Sequence, residues 1–134
     1  MSRVVVSQRA RHADQASQVD AEESMALVVR LYDGMLGFLR RGAEAMASGK
    51  KTTASESIRR ATDIIGELQA VLDLDEGGEI AANLDRIYAY SLRRVAEAHS
   101  QDDPSGLVEV TKLLAPLRDA WSEASARQVP GETP

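Results

Sequence analysis

The chain has 134 residues, no cysteine and two histidines, and its formal net charge at pH 7 is −5. Without cysteine it has no disulfides, thiolate nucleophiles or cysteine-ligated metal sites, and two histidines leave little material for imidazole catalysis. An acidic chain is poorly suited to non-specific nucleic-acid binding, and no apolar run approaches the ~20 residues that span a bilayer. We therefore expect a cytosolic protein with no cofactor, no nucleic-acid partner and no membrane insertion.

The two ends of the chain are predicted to be flexible. Residues 1–19 form an N-terminal arm with a net charge of +2, in which the stretch 7–15 has almost no large apolar residue. A solvated arm is the simpler interpretation, and an arm that docks on the acidic body is the alternative. Residues 128–134 form a disordered C-terminal tail, because two prolines and a glycine interrupt them. The domain between these tails covers residues 20–127.

The first predicted helix spans residues 20–48. Its apolar residues recur at steps of three and four, so they lie on one helical face. Asp20 can cap free backbone N–H groups, and Glu23 follows at the capping-box spacing. The pattern ends at Ser48-Gly49.

Three further apolar stripes of the same period cover residues 54–72, 80–98 and 107–124. The last stripe follows Asp103, a favourable N-cap residue, and Pro104, which suits the first position of a helix. No segment shows the sustained period-two alternation of a β-strand. The predicted fold class is therefore all-α: an antiparallel up-down four-helix bundle with flexible tails.

These stripes are wider than the narrow seam that a bundle needs. The adjacent pairs Ile64-Ile65, Ile87-Tyr88 and Leu113-Leu114 cannot both point at the bundle axis, so some apolar side chains must lie at the flanks. A wide core face is the simpler interpretation, and a hydrophobic groove that receives another helix is the alternative. Pro116 lies inside the fourth helix, where it removes the hydrogen bond to the Lys112 carbonyl and is expected to kink the helix.

No catalytic or metal-ligating constellation is evident, and we expect none. His99 lies at a helix end, where a basic side chain favours the negative end of the helix dipole, whereas a phosphotransfer histidine would lie in mid-helix. Gly77-Gly78 follows a helix rather than a strand and lacks the Lys-Ser/Thr of a phosphate-binding loop. A phosphotransfer domain and a structural bundle that dimerises through its surplus apolar faces are the alternatives to a binding module.

Three blocks of the sequence form a recognisable set. The first block is Leu31-Tyr32-Asp33-Gly34. The second runs from Gly77 to Leu84 and on through residues 87–94. The third is Asp103-Pro104, followed by Leu113-Leu114 and residues 117–121. In this order and separation, the three blocks resemble the flagellar secretion chaperones of the FliS type. The resemblance covers about residues 20–125, although the arm lacks the tyrosine that family members often carry.

The resemblance implies a cytosolic helical bundle without enzymatic activity. Such a protein binds the disordered C-terminal segment of flagellin, which becomes helical on the chaperone, and keeps it ready for the flagellar export apparatus, a further expected partner. A tyrosine ring with a polar tip suits a groove edge, whereas the aspartate and asparagine could also bridge helices within the fold, and the aliphatic residues could be core. The predicted flagellin-binding residues are Tyr32, Asp33, Ile65, Leu68, Ile80, Asn83, Leu84, Ile87, Tyr88 and Leu92.

Overall fold

The structure, a computed structural model, describes residues 18–127 of the chain. Residues 1–17 of the predicted arm and the predicted tail lie outside the described residues. The described part is all-helical, as predicted, and its four helices are α1 (Gln18–Ala47), α2 (Lys51–Ala70), α3 (Gly78–Gln101) and α4 (Pro104–Arg127). The longest, α1, measures roughly 45 Å at 1.5 Å per residue.

The helix ends follow the sequence signals closely, with one difference. α1 begins at Gln18. Asp20 therefore lies within the first helical turn and not at the predicted N-cap position. Asp103 caps α4 as predicted, because its carboxylate accepts hydrogen bonds from the Ser105 backbone N–H (3.1 Å) and hydroxyl (2.7 Å). Gly49 follows α1 with a φ of +73°, a left-handed conformation that glycine adopts without strain.

The helices form a closed four-membered arrangement. α1 and α3 each pack against both α2 and α4, so α1 and α3 are diagonal partners. Two hydrogen bonds show that α2 and α3 are antiparallel. Ser55 near the start of α2 bonds His99 in the last turn of α3 at 3.0 Å, and Gln69 at the end of α2 donates to Asp85 near the start of α3 at 3.0 Å. The bundle prediction is confirmed.

The width of the stripes predicts that the two members of each adjacent apolar pair cannot both be buried, and the structure agrees. Within each pair, one side chain is buried in the core and its neighbour lies on a flank. The buried members are Ile65, Tyr88 and Leu114, and the flanking members are Ile64, Ile87 and Leu113. The flanking members are the source of apolar surface outside the core.

α4 continues through Pro116 without interruption. Pro116 and Lys112 both lie on the exposed side of α4, where water can satisfy the carbonyl that has lost its intrahelical donor. The expected kink at Pro116 stays a prediction.

Candidate binding surface on the third and fourth helices

Two tyrosines predicted at a groove edge lie instead in the centre of the bundle. Tyr32 of α1 is 0 % exposed and Tyr88 of α3 is 1 % exposed, and their hydroxyl groups are hydrogen-bonded to each other. Burial raises the pKa of both hydroxyls above the ordinary value of 10.0. For Tyr32, the hydrogen bond to Tyr88 and the neighbouring Trp121 side chain partly offset this rise in pKa. The polar tips of the tyrosines are thus satisfied inside the fold.

Three other predicted groove residues, Ile65, Leu68 and Leu84, are also core residues. In the closed bundle, these side chains and the two tyrosines support the helices from within. A contact between any of the five and a partner helix stays a prediction, and it would require the bundle to open.

Asp33 is exposed and joins α1 to α4. Its carboxylate accepts hydrogen bonds from Nε (2.8 Å) and Nη2 (3.4 Å) of Arg118, and the Arg118 guanidinium holds the pKa of this carboxyl below its usual value. Asn83 is exposed on α3, where its side-chain oxygen accepts a hydrogen bond from Arg86. Asp33 therefore bridges two helices within the fold, whereas Asn83 remains on the surface of one helix.

A polar cluster joins the second half of α3 to the start of α4. The Glu109 carboxylate accepts a hydrogen bond from the Tyr90 hydroxyl and another from Arg94 Nε at 2.9 Å, and Arg94 also lies 3.7 Å from Asp103. A Cβ at Gly106 would lie 2.6 Å from the Ala98 Cβ and 2.9 Å from Arg94 Nη1. The backbone of α4 can approach α3 here only because residue 106 has no side chain.

Helical spacing identifies the side chains that continue this α3–α4 junction toward the other end of the bundle. Leu113 lies four residues after Glu109 and seven after Gly106, so it shares the α4 face that contacts α3. Ile87 lies three residues before Tyr90 and seven before Arg94, so it shares the α3 face that contacts α4. The apolar residues that this spacing places at the junction form the α3/α4 strip, which consists of Ile80, Ile87, Leu113, Leu117 and Ala120.

The α3/α4 strip is accessible. Ile80 is 45 % exposed and Leu113 is 37 % exposed, Ala120 is also exposed, and Ile87 and Leu117 are half-buried. Asn83 lies on the same face, seven residues before Tyr90. The strip thus includes two of the predicted groove residues and adjoins a third. Leu92 lies on the opposite flank of α3, since it follows Asp85, which contacts α2, by seven residues.

The prediction missed the α4 side of this surface. The sequence places Leu113 and Leu117 in the stripe of the fourth helix, but nothing in that stripe distinguishes core residues from flanking ones. The signal that would have helped is the start of α4: Gly106 and Glu109 mark the face that turns toward α3, and Leu113 continues it.

Within residues 18–127, no group of three or more His, Asp and Glu side chains is arranged to hold a metal ion. None of the helices there is long and apolar enough to cross a membrane. His99 is exposed in the last turn of α3 and bonds Ser55, at a helix end as predicted.

Comparison with known proteins identifies the family. The model of the family described as "Flagellar protein FliS" matches residues 7–128. The flagellar secretion chaperone FliSB of Pseudomonas aeruginosa is 36 % identical over 115 residues, which cover 83 % of this chain and 91 % of that protein. The flagellar secretion chaperone FliS of Salmonella typhimurium is 34 % identical over 102 residues, covering 75 % of this chain and 76 % of that one. The chaperone FliS of Vibrio cholerae is 31 % identical over 107 residues, with coverages of 80 % and 79 %. The chain therefore belongs to the FliS family of flagellar secretion chaperones.

Proposed function

We propose that this chain is a cytosolic flagellar export chaperone that binds the disordered C-terminal segment of flagellin as a helix on the α3/α4 strip, without catalysis. The observation that carries the proposal is the strip itself: five accessible apolar residues that helical spacing places on the facing sides of two neighbouring helices, in a chain that belongs to a family of flagellar secretion chaperones.

The geometry of the strip suits a helical partner. Ile80 and Ile87 are seven residues apart on α3, and Leu113 and Ala120 are seven residues apart on α4, a length of roughly 10 Å at 1.5 Å per residue. An amphipathic helix presents its anchors at steps of three, four and seven, which cover the same length. Asn83 between the two isoleucines offers an amide to the polar edge of such a helix.

The energetics require an apolar surface of this kind. Ordering a disordered segment on binding costs about 2–5 kcal/mol or more. Burying one leucine-sized side chain contributes about 1.5–3 kcal/mol. A few anchors on the strip can therefore offset the cost of ordering, while the segment remains covered and unable to polymerise. The flagellar export apparatus would then receive flagellin in this bound state.

Co-purification tests the proposal. The full chain is co-expressed with flagellin, and with flagellin that lacks its C-terminal segment. We expect a stable complex with intact flagellin and none with the truncated form. The proposal is overturned if intact flagellin forms no complex, or if both forms bind equally.

A further inference from the structure

Burial is distributed unevenly along α4. Its fully buried residues all precede Pro116, and they are Gly106, Leu107, Val110 and Leu114. In α3, by contrast, buried residues continue along the whole helix, from Ala81 to Ala98. Residues 117–127, which we call the flap, include no fully buried side chain, and the large rings and chains among them are only half-buried. The flap therefore gains little from the burial that stabilises the other helical segments.

Few side chains fasten the flap to the rest of the described bundle. Arg118 donates a hydrogen bond to Asp33 of α1 at 2.8 Å, and the Trp121 side chain lies beside the Tyr32 hydroxyl. The other ion pairs of the flap among the described residues join positions of α4 to each other. The Asp33 side chain is 53 % exposed, and an ion pair in such a position contributes little to stability.

Pro116 marks the boundary between the two halves of α4. Because proline has no backbone N–H, the Lys112 carbonyl lacks its intrahelical donor, and a helix bends or separates most easily at such a gap. The flap that follows has eleven residues. An isolated helix shorter than about 12–15 residues is marginal in water. A flap that leaves α1 must therefore also unwind, and it does so as one unit.

We propose that the flap opens cooperatively about Pro116, against the clasp of Asp33 and Arg118, and that its opening takes the α3/α4 strip apart. Leu117 and Ala120, two of the five strip residues, lie on the flap, whereas the other three lie outside it. A flagellin helix that contacts both parts holds the flap closed, and opening of the flap gives the bound segment a route to release. The release role rests on the proposed function, whereas the opening is a property of the free protein.

Amide hydrogen exchange of the full chain without flagellin, followed by NMR, tests the opening. Unwinding as a unit gives the amides of residues 119–126 one common protection factor, which we expect to be at least about tenfold below that of residues 110–114. Simple fraying of a helix end gives a protection that declines steadily toward Arg127. Such a steady decline, or equal protection in both halves of α4, would overturn the proposal.

Two substitutions should shift the flap in opposite directions. Pro116→Ala supplies the missing N–H and a better helix former, so the protection of the flap should rise at least about tenfold. Asp33→Asn weakens the clasp and should lower this protection about two- to fivefold.

Asp63→Asn is the matched control for Asp33→Asn. It makes the same change in another exposed pair, with Arg59 inside α2 at 3.3 Å, and should leave the protection of the flap unchanged. Circular dichroism verifies that each variant is folded. The clasp is contradicted if the two asparagine variants have the same effect, and the hinge is contradicted if Pro116→Ala has none.

The isolated C-terminal segment of flagellin tests the release role. At saturation it should raise the protection of the flap at least about tenfold, because it binds the closed form. Pro116→Ala should slow dissociation of the segment at least about threefold. A segment that binds without changing the protection of the flap, or that dissociates from Pro116→Ala at the wild-type rate, overturns the release role. A segment that does not bind at all contradicts the proposed function instead, and the exchange of the free protein then decides whether the flap opens.

Discussion

The hydroxyl groups of Tyr32 and Tyr88 are hydrogen-bonded to each other in the core, and they join α1 to α3, the two helices that are diagonal in the bundle. Each hydroxyl is buried, so each depends on the other for its partner. The pair also fixes the depth at which α3 lies against α1. Because α3 carries two of the five residues of the α3/α4 strip, this buried contact helps to position the surface that we propose for flagellin.

Removing both hydroxyls should cost less stability than the sum of the two single removals. Tyr32→Phe leaves the Tyr88 hydroxyl buried without that partner, which should lower the free energy of unfolding by about 1–3 kcal/mol. The double variant Tyr32→Phe/Tyr88→Phe leaves no orphaned hydroxyl in the pair and should be less destabilised than the sum of the single variants. Urea denaturation of the four proteins measures this. Additive losses would show that the hydroxyls do not interact.

Stability should decline in alkaline solution because burial raises the pKa of both tyrosines above 10.0. Below about pH 10 both states keep the phenol proton, and the stability is fully present. Above about pH 10 the unfolded state releases protons that the folded state retains, so each tyrosine lowers the free energy of unfolding by up to about 1.4 kcal/mol per pH unit.

The double phenylalanine variant is the control for this pH dependence. It keeps Tyr90, so any contribution from that residue is common to both proteins. Urea denaturation at a series of pH values above neutrality should show a shallower decline for the variant. An identical decline in the two proteins would contradict the assignment to the buried pair.

Replacing the buried Ser91 should make the protein more stable. Its side chain is 0 % exposed, and its hydroxyl oxygen has no hydrogen-bond partner among the described residues. Replacing it with alanine removes a buried polar group without leaving another orphaned, so Ser91→Ala should raise the free energy of unfolding by up to about 1 kcal/mol. Thermal unfolding followed by circular dichroism measures the change. A clear loss of stability would indicate a partner for the hydroxyl, such as a buried water.

Gly106 and Gly66 provide a matched pair of helical glycines. Gly106→Ala places a methyl group 2.6 Å from the Ala98 Cβ, so α4 must move away from α3, and we expect a loss of about 1–3 kcal/mol. Gly66→Ala meets nothing within 4 Å and should stabilise α2 by about 0.5–1 kcal/mol. Urea denaturation of both variants gives the comparison. Equal effects would mean that the α3–α4 approach is not tightly packed.

The sequence predicts the helices well because their signals are local. The step of three and four residues, Gly49 after α1 and the cap at Asp103 each depend on a few neighbouring positions. The adjacent apolar pairs even predict that some apolar side chains lie outside the core. They do not say which member is buried, since that depends on how far each helix is rotated in the bundle.

The candidate site is harder to predict because it depends on contacts between distant positions. Tyr32 and Tyr88 suggested a groove edge, since an isolated tyrosine needs a partner for its hydroxyl. The partner of each is the other, 56 residues away, and no local pattern reveals this. Leu113 was missed for the opposite reason: its exposure follows from the orientation of α4 toward α3, which Gly106 and Glu109 determine.

The most direct test of the central claim is the affinity of the chain for the isolated C-terminal segment of flagellin, measured by calorimetric titration for the wild type and two variants. Leu113→Asp places a carboxylate in the α3/α4 strip, whereas Val108→Asp makes the same kind of change at a position of α4 that is 42 % exposed and lies outside it. We predict that Leu113→Asp weakens binding at least about tenfold, the equivalent of about 1.4 kcal/mol, while Val108→Asp stays within about threefold of the wild type. Equal affinities for all three folded proteins would contradict the claim that the α3/α4 strip binds flagellin.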